Sequence, residues 1–186
     1  LIVMFNLPED SGLDLTPMFW DEFVLVSAPN WGAKSDEVAF EELASYPLVT
    51  ACRASSLRKI LDDAAEKHGM SLKVVVESES FSALRSMALA GECCAILPRL
   101  CVLRDVGAGQ LPARRIIEPH LGGMYSVANL NRRELSRAAR AVRELLVRAC
   151  AGASERANVK APSEMMRVAP SNLFPINSVS TRRLAH

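Results

Sequence analysis

The strongest constraint on the fold lies between Phe40 and Pro98, where short apolar runs alternate with amphipathic helical segments. Residues 48–52 (Leu-Val-Thr-Ala-Cys), 72–76 (Leu-Lys-Val-Val-Val) and 93–97 (Cys-Cys-Ala-Ile-Leu) have the length and apolar character of sheet strands. Between the first two, Leu57, Ile60, Leu61, Ala64 and Ala65 recur at i, i+3, i+4, i+7 and i+8, one face of an α-helix that His68-Gly69 ends. Ser55 or Ser56 is its candidate N-cap. Between the second and third, Glu79 or Ser80 opens a helix whose inner face carries Leu84, Met87 and Ala88. This alternation implies an α/β fold with mainly parallel pairing.

The flanking sequence adds strands before and after this unit. Residues 1–5 (Leu-Ile-Val-Met-Phe) form a continuous apolar run, as in a strand buried on both faces. Residues 6–12 form a loop; residues 13–19 are an extended edge segment, because Pro17 cannot donate inside a sheet. Residues 23–27 form another apolar strand. A short acidic helix follows near residues 40–44, with Ser35 or Asp36 as N-cap. Beyond the central unit, Pro98 starts a helix that Gly107-Ala108-Gly109 breaks. Residues 111–117 read as a strand, Pro119 and Gly122-Gly123 as a turn, and residues 124–130 as a returning strand. The longest helix spans residues 136–150, with a stripe of Ala138, Ala139, Val142, Leu145, Leu146 and Ala149. From residue 151 the periodicity fades into a disordered tail ending at His186.

Composition excludes several classes of function. A net charge of +1 provides no global field for nucleic acid, and no apolar run approaches the ~20 residues of a membrane span. Five cysteines (Cys52, Cys93, Cys94, Cys101 and Cys150) show no metal spacing, and adjacent Cys93 and Cys94 must face opposite sides of a strand. They read as reduced core thiols. No G-x-S-x-G elbow, phosphate-binding glycine loop or paired histidines are present. Asp62-Asp63 and Glu41-Glu42 diverge by about 100° on their helices, so neither forms a converging acid–base pair. The arginines at 137, 140, 143 and 148 mostly line a solvated face of the last helix, without the interleaved aromatics of a nucleic-acid surface.

Two helix starts carry the binding chemistry. At Ala54-Ser55-Ser56-Leu57-Arg58, unpaired N–H groups and serine hydroxyls suit a carboxylate or sulfate; the plainer alternative is that a serine only caps the helix. Glu79, Ser80 and Phe81 stand at the next strand-to-helix junction, at a strand's carboxyl end where ligands of open α/β sheets gather. There too the alternative is a cap, with Phe81 in the core.

Four segments together resemble the effector-binding domain of LysR-type transcriptional regulators: Glu41-Glu42-Leu43-Ala44-Ser45-Tyr46-Pro47-Leu48-Val49, Leu57-Arg58-Lys59-Ile60-Leu61-Asp62, Gly91-Glu92-Cys93-Cys94-Ala95-Ile96-Leu97-Pro98 and Arg133-Glu134-Leu135-Ser136-Arg137-Ala138-Ala139-Arg140. The resemblance covers residues 1–150. It implies a two-lobed fold like that of type 2 periplasmic binding proteins, truncated at its N-terminus so that the first lobe is incomplete. Residues 1–27 and 124–150 would be the first-lobe remnant and crossing strands, and residues 28–123 the second lobe. The resemblance implies a small, anionic effector in the cleft between lobes, contacted by Ser55, Ser56, Leu57, Glu79, Ser80 and Phe81. It implies a cytoplasmic homo-oligomer, with promoter DNA bound only through a helix-turn-helix absent from this chain, and no enzyme activity, cofactor, metal or membrane partner. The alternatives are a type 2 periplasmic solute-binding protein and a small α/β enzyme using Cys52 or a serine. An upstream helix-turn-helix would decide for the regulator.

Overall fold

The computed structural model describes residues 1–7, 11–32, 35–131 and 134–157; the loop residues 8–10, Arg133 of the last-helix motif and the expected tail from residue 158 lie outside them. In chain order the elements are β1 (Ile2–Phe5), β2 (Leu13–Val26), β3 (Glu37–Ala39), β4 (Leu48–Thr50), α1 (Ser56–Lys67), β5 (Val74–Glu77) and α2 (Phe81–Ala90). There follow β6 (Cys94–Pro98), α3 (Leu103–Gly107), β7 (Ala113–Ile117), β8 (Gly122–Leu130) and α4 (Arg137–Ala157). Strands run in the order β1-β8-β2-β6-β4-β5, with β7 also paired to β2 and β3 to β7. The β4–β5 and β4–β6 pairs are parallel, as the strand–helix alternation implies.

Residue alternation along the strands divides the core into two layers. Phe23 and Leu25 of β2, Leu48 of β4, and Cys94 and Ile96 of β6 face α1, where they meet Leu57, Ile60, Leu61, Ala64 and Ala65. Val24, Val26, Val49, Cys93, Ala95 and Leu97 face the other way, onto Leu84 and Ala88 of α2 and onto Val102. The sheet is therefore covered on both faces, which is why its strands are almost wholly apolar. Each such fully buried Leu, Ile or Phe contributes about 1.5–3 kcal/mol. The two adjacent cysteines fall in opposite layers, as period 2 requires. Trp31 fastens the connection after β2 by donating its indole N–H to the carbonyl of Gly91, the left-handed cap of α2, at 3.0 Å.

Several local expectations are corrected. Residues 13–19 and 23–27 are not two strands but one, the fourteen-residue β2. Pro17 fits because the ladder to β8 shifts register between Pro17 and Phe19, where β2 has β8 on one side only among the described residues. β1 is not buried on both faces: among the described residues it pairs with β8 alone, and Leu1, Ile2 and Val3 are 48%, 53% and 46% exposed. An apolar run reports hydrophobicity, not how many neighbours the strand finds. The acidic segment is a 3₁₀ helix, Phe40–Ser45, preceded by the unforeseen β3, so its N-cap is Ala39. Glu42 Oε1 accepts the Ala39 N–H at 3.0 Å, while Ser35 Oγ accepts from Glu37 N–H instead.

Gly122 and Gly123 form the start of β8 rather than a turn. A Cβ on Gly122 would overlap the Trp20 indole, and one on Gly123 the Phe5 ring. The glycines serve close approach of aromatics, a requirement the dipeptide shares with a turn and which local sequence cannot separate. The last helix continues to Ala157, past the expected end at Cys150. Its apolar stripe is open rather than packed: Val142 and Leu145 are 47% and 59% exposed.

Candidate functional site

β4 and β5 are parallel, so the helices that follow them start on the same rim of the sheet. Ser55 is the N-cap of α1: extended backbone turns its hydroxyl oxygen to accept the Leu57 N–H at 3.3 Å. The first intrahelical bond runs from Lys59 N–H to Ser55 O, so the Ser56 and Arg58 N–H groups precede the ladder. Ser55 and Ser56 are half-buried; Leu57 is 1% exposed, its side chain in the core layer. Ser80 caps α2 in the same manner, accepting the Ala83 N–H at 3.3 Å and donating its own N–H to Ser78 Oγ at 3.1 Å. Glu79 and Ser80 are exposed, while Phe81 is half-buried against both core layers. Ser78 N–H donates to Thr50 O at 3.1 Å, which joins the two rim loops directly.

Three residues of this rim were not among the expected effector contacts. Arg58, 4% exposed, donates to Asp62 at 2.8 Å and to Glu77 at 2.7 Å, tying α1 to the end of β5. Burial opposes its charge, but these two carboxylates outweigh it and hold the guanidinium above its ordinary pKa. The hydrogen bond from Arg58 holds the Glu77 carboxyl below the usual range, with Arg53 at 3.8 Å adding to it. Thr50 is fully buried at the end of β4, and its hydroxyl has no partner among the described residues. The signal available was a hydroxyl amid the apolar Leu48-Val49 and Ala51. Together the rim offers hydroxyls and helix-start N–H groups, donors suited to an anion.

A second polar position lies where β2 passes from β8 to β6. Asp21 is completely buried; one oxygen accepts the Leu100 N–H at 3.3 Å and the other has no partner among the described residues. Burial pushes its pKa up to about 7, helped by Glu22, and Arg99 draws it down more weakly. Arg99 is itself bound to Glu22 at 2.6 Å. The buried Cys94 thiol is pushed up to about 11 by burial. Among the described residues, no group of histidine, cysteine or carboxylate side chains could hold a metal ion. No helix among them is long and apolar enough to cross a membrane.

The strand order, the parallel β4–β5–β6 unit clothed by helices and the long shared strand define an α/β domain of the type 2 periplasmic-binding-protein kind. The family is now explicit: residues 1–151 match the model of the LysR substrate binding domain, and the chain belongs to that family. Among solved structures, the effector-binding domain of QuiR in complex with shikimate is 21% identical with a TM-score of 0.68, covering 81% of this chain and 72% of that one. The regulatory domain of Synechocystis PCC6803 CcmR in complex with 2-PG is 17% identical with a TM-score of 0.71, covering 80% and 72%. The effector domain of the transcriptional regulator AmpR of Pseudomonas aeruginosa is 18% identical with a TM-score of 0.60, covering 82% and 72%. No curated protein matches the chain.

Proposed function

We propose that the chain is the ligand-sensing domain of a LysR-type transcription regulator and that its effector, a small anion, binds at the rim built from the starts of α1 and α2. One observation carries this reading: two serine-capped helix starts, joined through the Ser78–Thr50 hydrogen bond, stand at the carboxyl ends of adjacent parallel strands. The buried Thr50 hydroxyl beside them, without a partner among the described residues, supports it. Small molecules occupy the QuiR and CcmR domains. Residues 28–123 form the second lobe in this reading, with residues 1–27 and 124–150 contributing crossing strands and part of the first. The chain acts in the cytoplasm as part of a homo-oligomer, and a helix-turn-helix elsewhere in the full-length protein contacts promoter DNA. Effector binding shifts the population of oligomer arrangements and so changes transcription, with no chemical step.

The test is a Ser55→Ala, Ser56→Ala double variant of the full-length regulator, titrated calorimetrically with shikimate, 2-PG and a panel of small carboxylates. Loss of two donated hydrogen bonds costs ~1–4 kcal/mol of affinity, with DNA binding in the absence of effector unchanged. Unchanged effector affinity in a variant with a normal melting curve refutes the rim as the effector site and leaves the serines as caps.

A further inference from the structure

A cleft of about 280 Å³ opens at the other end of β2, lined by Asp14 of β2, Asn129 of β8 and side chains of α4. It lies about 30 Å along β2 from Phe23, where β6 begins to pair, at ~3.3 Å per residue. Its size is just below the ~300 Å³ at which pockets for drug-sized ligands begin. Asp14 and Asn129 are direct partners in the β2–β8 ladder. Asn129 is 8% exposed and directs its amide N–H groups to Asp14 Oδ2 and Leu130 O, both at 3.5 Å. Its carbonyl oxygen Oδ1 is buried without a partner among the described residues. A buried acceptor beside a carboxylate calls for a cationic donor.

The lining also includes Arg140 and Arg143, three residues apart on α4 and so on one flank of it. Among the described residues neither guanidinium makes an ion pair, and neither do the carboxylates of Asp14 and Glu134. Two arginines in the first two turns of α4 provide a platform for a carboxylate. The helix start itself is already capped, since Ser136 Oγ accepts the Ala139 N–H at 3.2 Å. A simple anion would meet Asp14 and Glu134, and a simple cation would meet the arginines; the lining is complementary to a molecule bearing both charges. We infer that this cleft binds a small zwitterion of the α-amino-acid class, its ammonium group on Asp14 and Asn129 Oδ1 and its carboxylate on Arg140 and Arg143. Leu135 provides the apolar contact for a small side chain.

Calorimetric titration of the whole 186-residue chain with glycine, L-alanine and L-leucine, and with acetate and ethylamine as the two half-molecules, tests this. Millimolar or tighter binding of an amino acid is expected, with each half-molecule at least tenfold weaker. An Arg140→Gln, Arg143→Gln double variant, and separately Glu134→Gln with its exposed side chain, is expected to weaken that binding with little change in melting temperature, the first by at least tenfold. The Ser55→Ala, Ser56→Ala variant is expected to leave it intact, which separates this cleft from the helix-start rim. Equal binding of acetate, binding that survives the arginine variant, binding lost in the serine variant, or no heat from any of the three amino acids at millimolar concentration overturns the assignment.

Discussion

Replacing Asp21 by Asn removes a proton that the fold holds and the unfolded chain does not. The unfolded carboxyl titrates near 3.8, and burial raises the folded one to about 7. Between these values the folded state binds one more proton than the unfolded state, so stability falls as pH rises, by about 1.4 kcal/mol per unit, and levels off above the folded pKa. Integrated over the window, the ionised Asp21 costs up to ~4 kcal/mol at neutral to alkaline pH. From about pH 5 to about pH 7 the loss amounts to about 2–3 kcal/mol. Asn keeps an oxygen for the Leu100 N–H but cannot ionise, so its variant lacks this slope. The new amide donors lack partners and cost about 1–3 kcal/mol, an offset that is independent of pH. Urea denaturation of both proteins at dilute concentration across pH 5–8 is the assay, read as the change in stability difference. The variant is expected to gain about 2–3 kcal/mol on wild type from pH 5 to 7. Parallel curves would refute the argument that Asp21 is buried and uncharged at low pH.

Further substitutions test the packing. Gly123→Ala is expected to destabilise the chain by about 1–3 kcal/mol in urea titration, since the new methyl overlaps the Phe5 ring. Leu84→Ala, from a side chain with no exposure, should cost about 2–5 kcal/mol in the same assay. Cys94, buried and with its thiol pushed up to about 11, should have roughly one thousandth of its population as thiolate at pH 8 and resist iodoacetamide, as mass spectrometry of labelled peptides would record. The exposed apolar residues of β1 and α4 should make the chain self-associate with concentration, and Ile2→Lys with Leu145→Glu should shift sedimentation toward monomer.

The central parallel unit was legible because its signals are local. The stripe from Leu57 to Ala65 and the serine caps follow from helical spacing and hydroxyl chemistry, and each is found in place. The sequence resemblance to LysR-type regulators also stands, carried by those same segments. What local reading missed was set by distant partners. Pro17 argued for an edge segment, and among the described residues β2 does have β8 on one side only there; what was missed is that the strand runs on past the register shift to Val26. The glycine pair read as a turn because nothing nearby announces Phe5, more than a hundred residues earlier, as its neighbour. Within the rim, Arg58 closed the candidate segment 54–58 without a role of its own; Asp62 on α1 and Glu77 arriving from β5 make its burial tolerable.

The fourteen residues of β2 have a mechanical consequence. Leu13 to Glu22 are laddered to β8, Phe23 to Val26 to β6, and Val24 to Val26 are clamped between β6 and β7. One unbroken backbone thus belongs to both ends of the sheet, and no slack connector separates them. Relative rotation of the ends must be taken up as torsion of the strand itself near Asp21 and Glu22, where one set of partners gives way to the other. Such an element behaves as a torsion bar rather than a pin joint: resistance grows with angle and the bar returns toward its rest position when the load is removed. The side chains at that handover, with Arg99 braced on Glu22 and the Leu100 amide held by Asp21, set its stiffness.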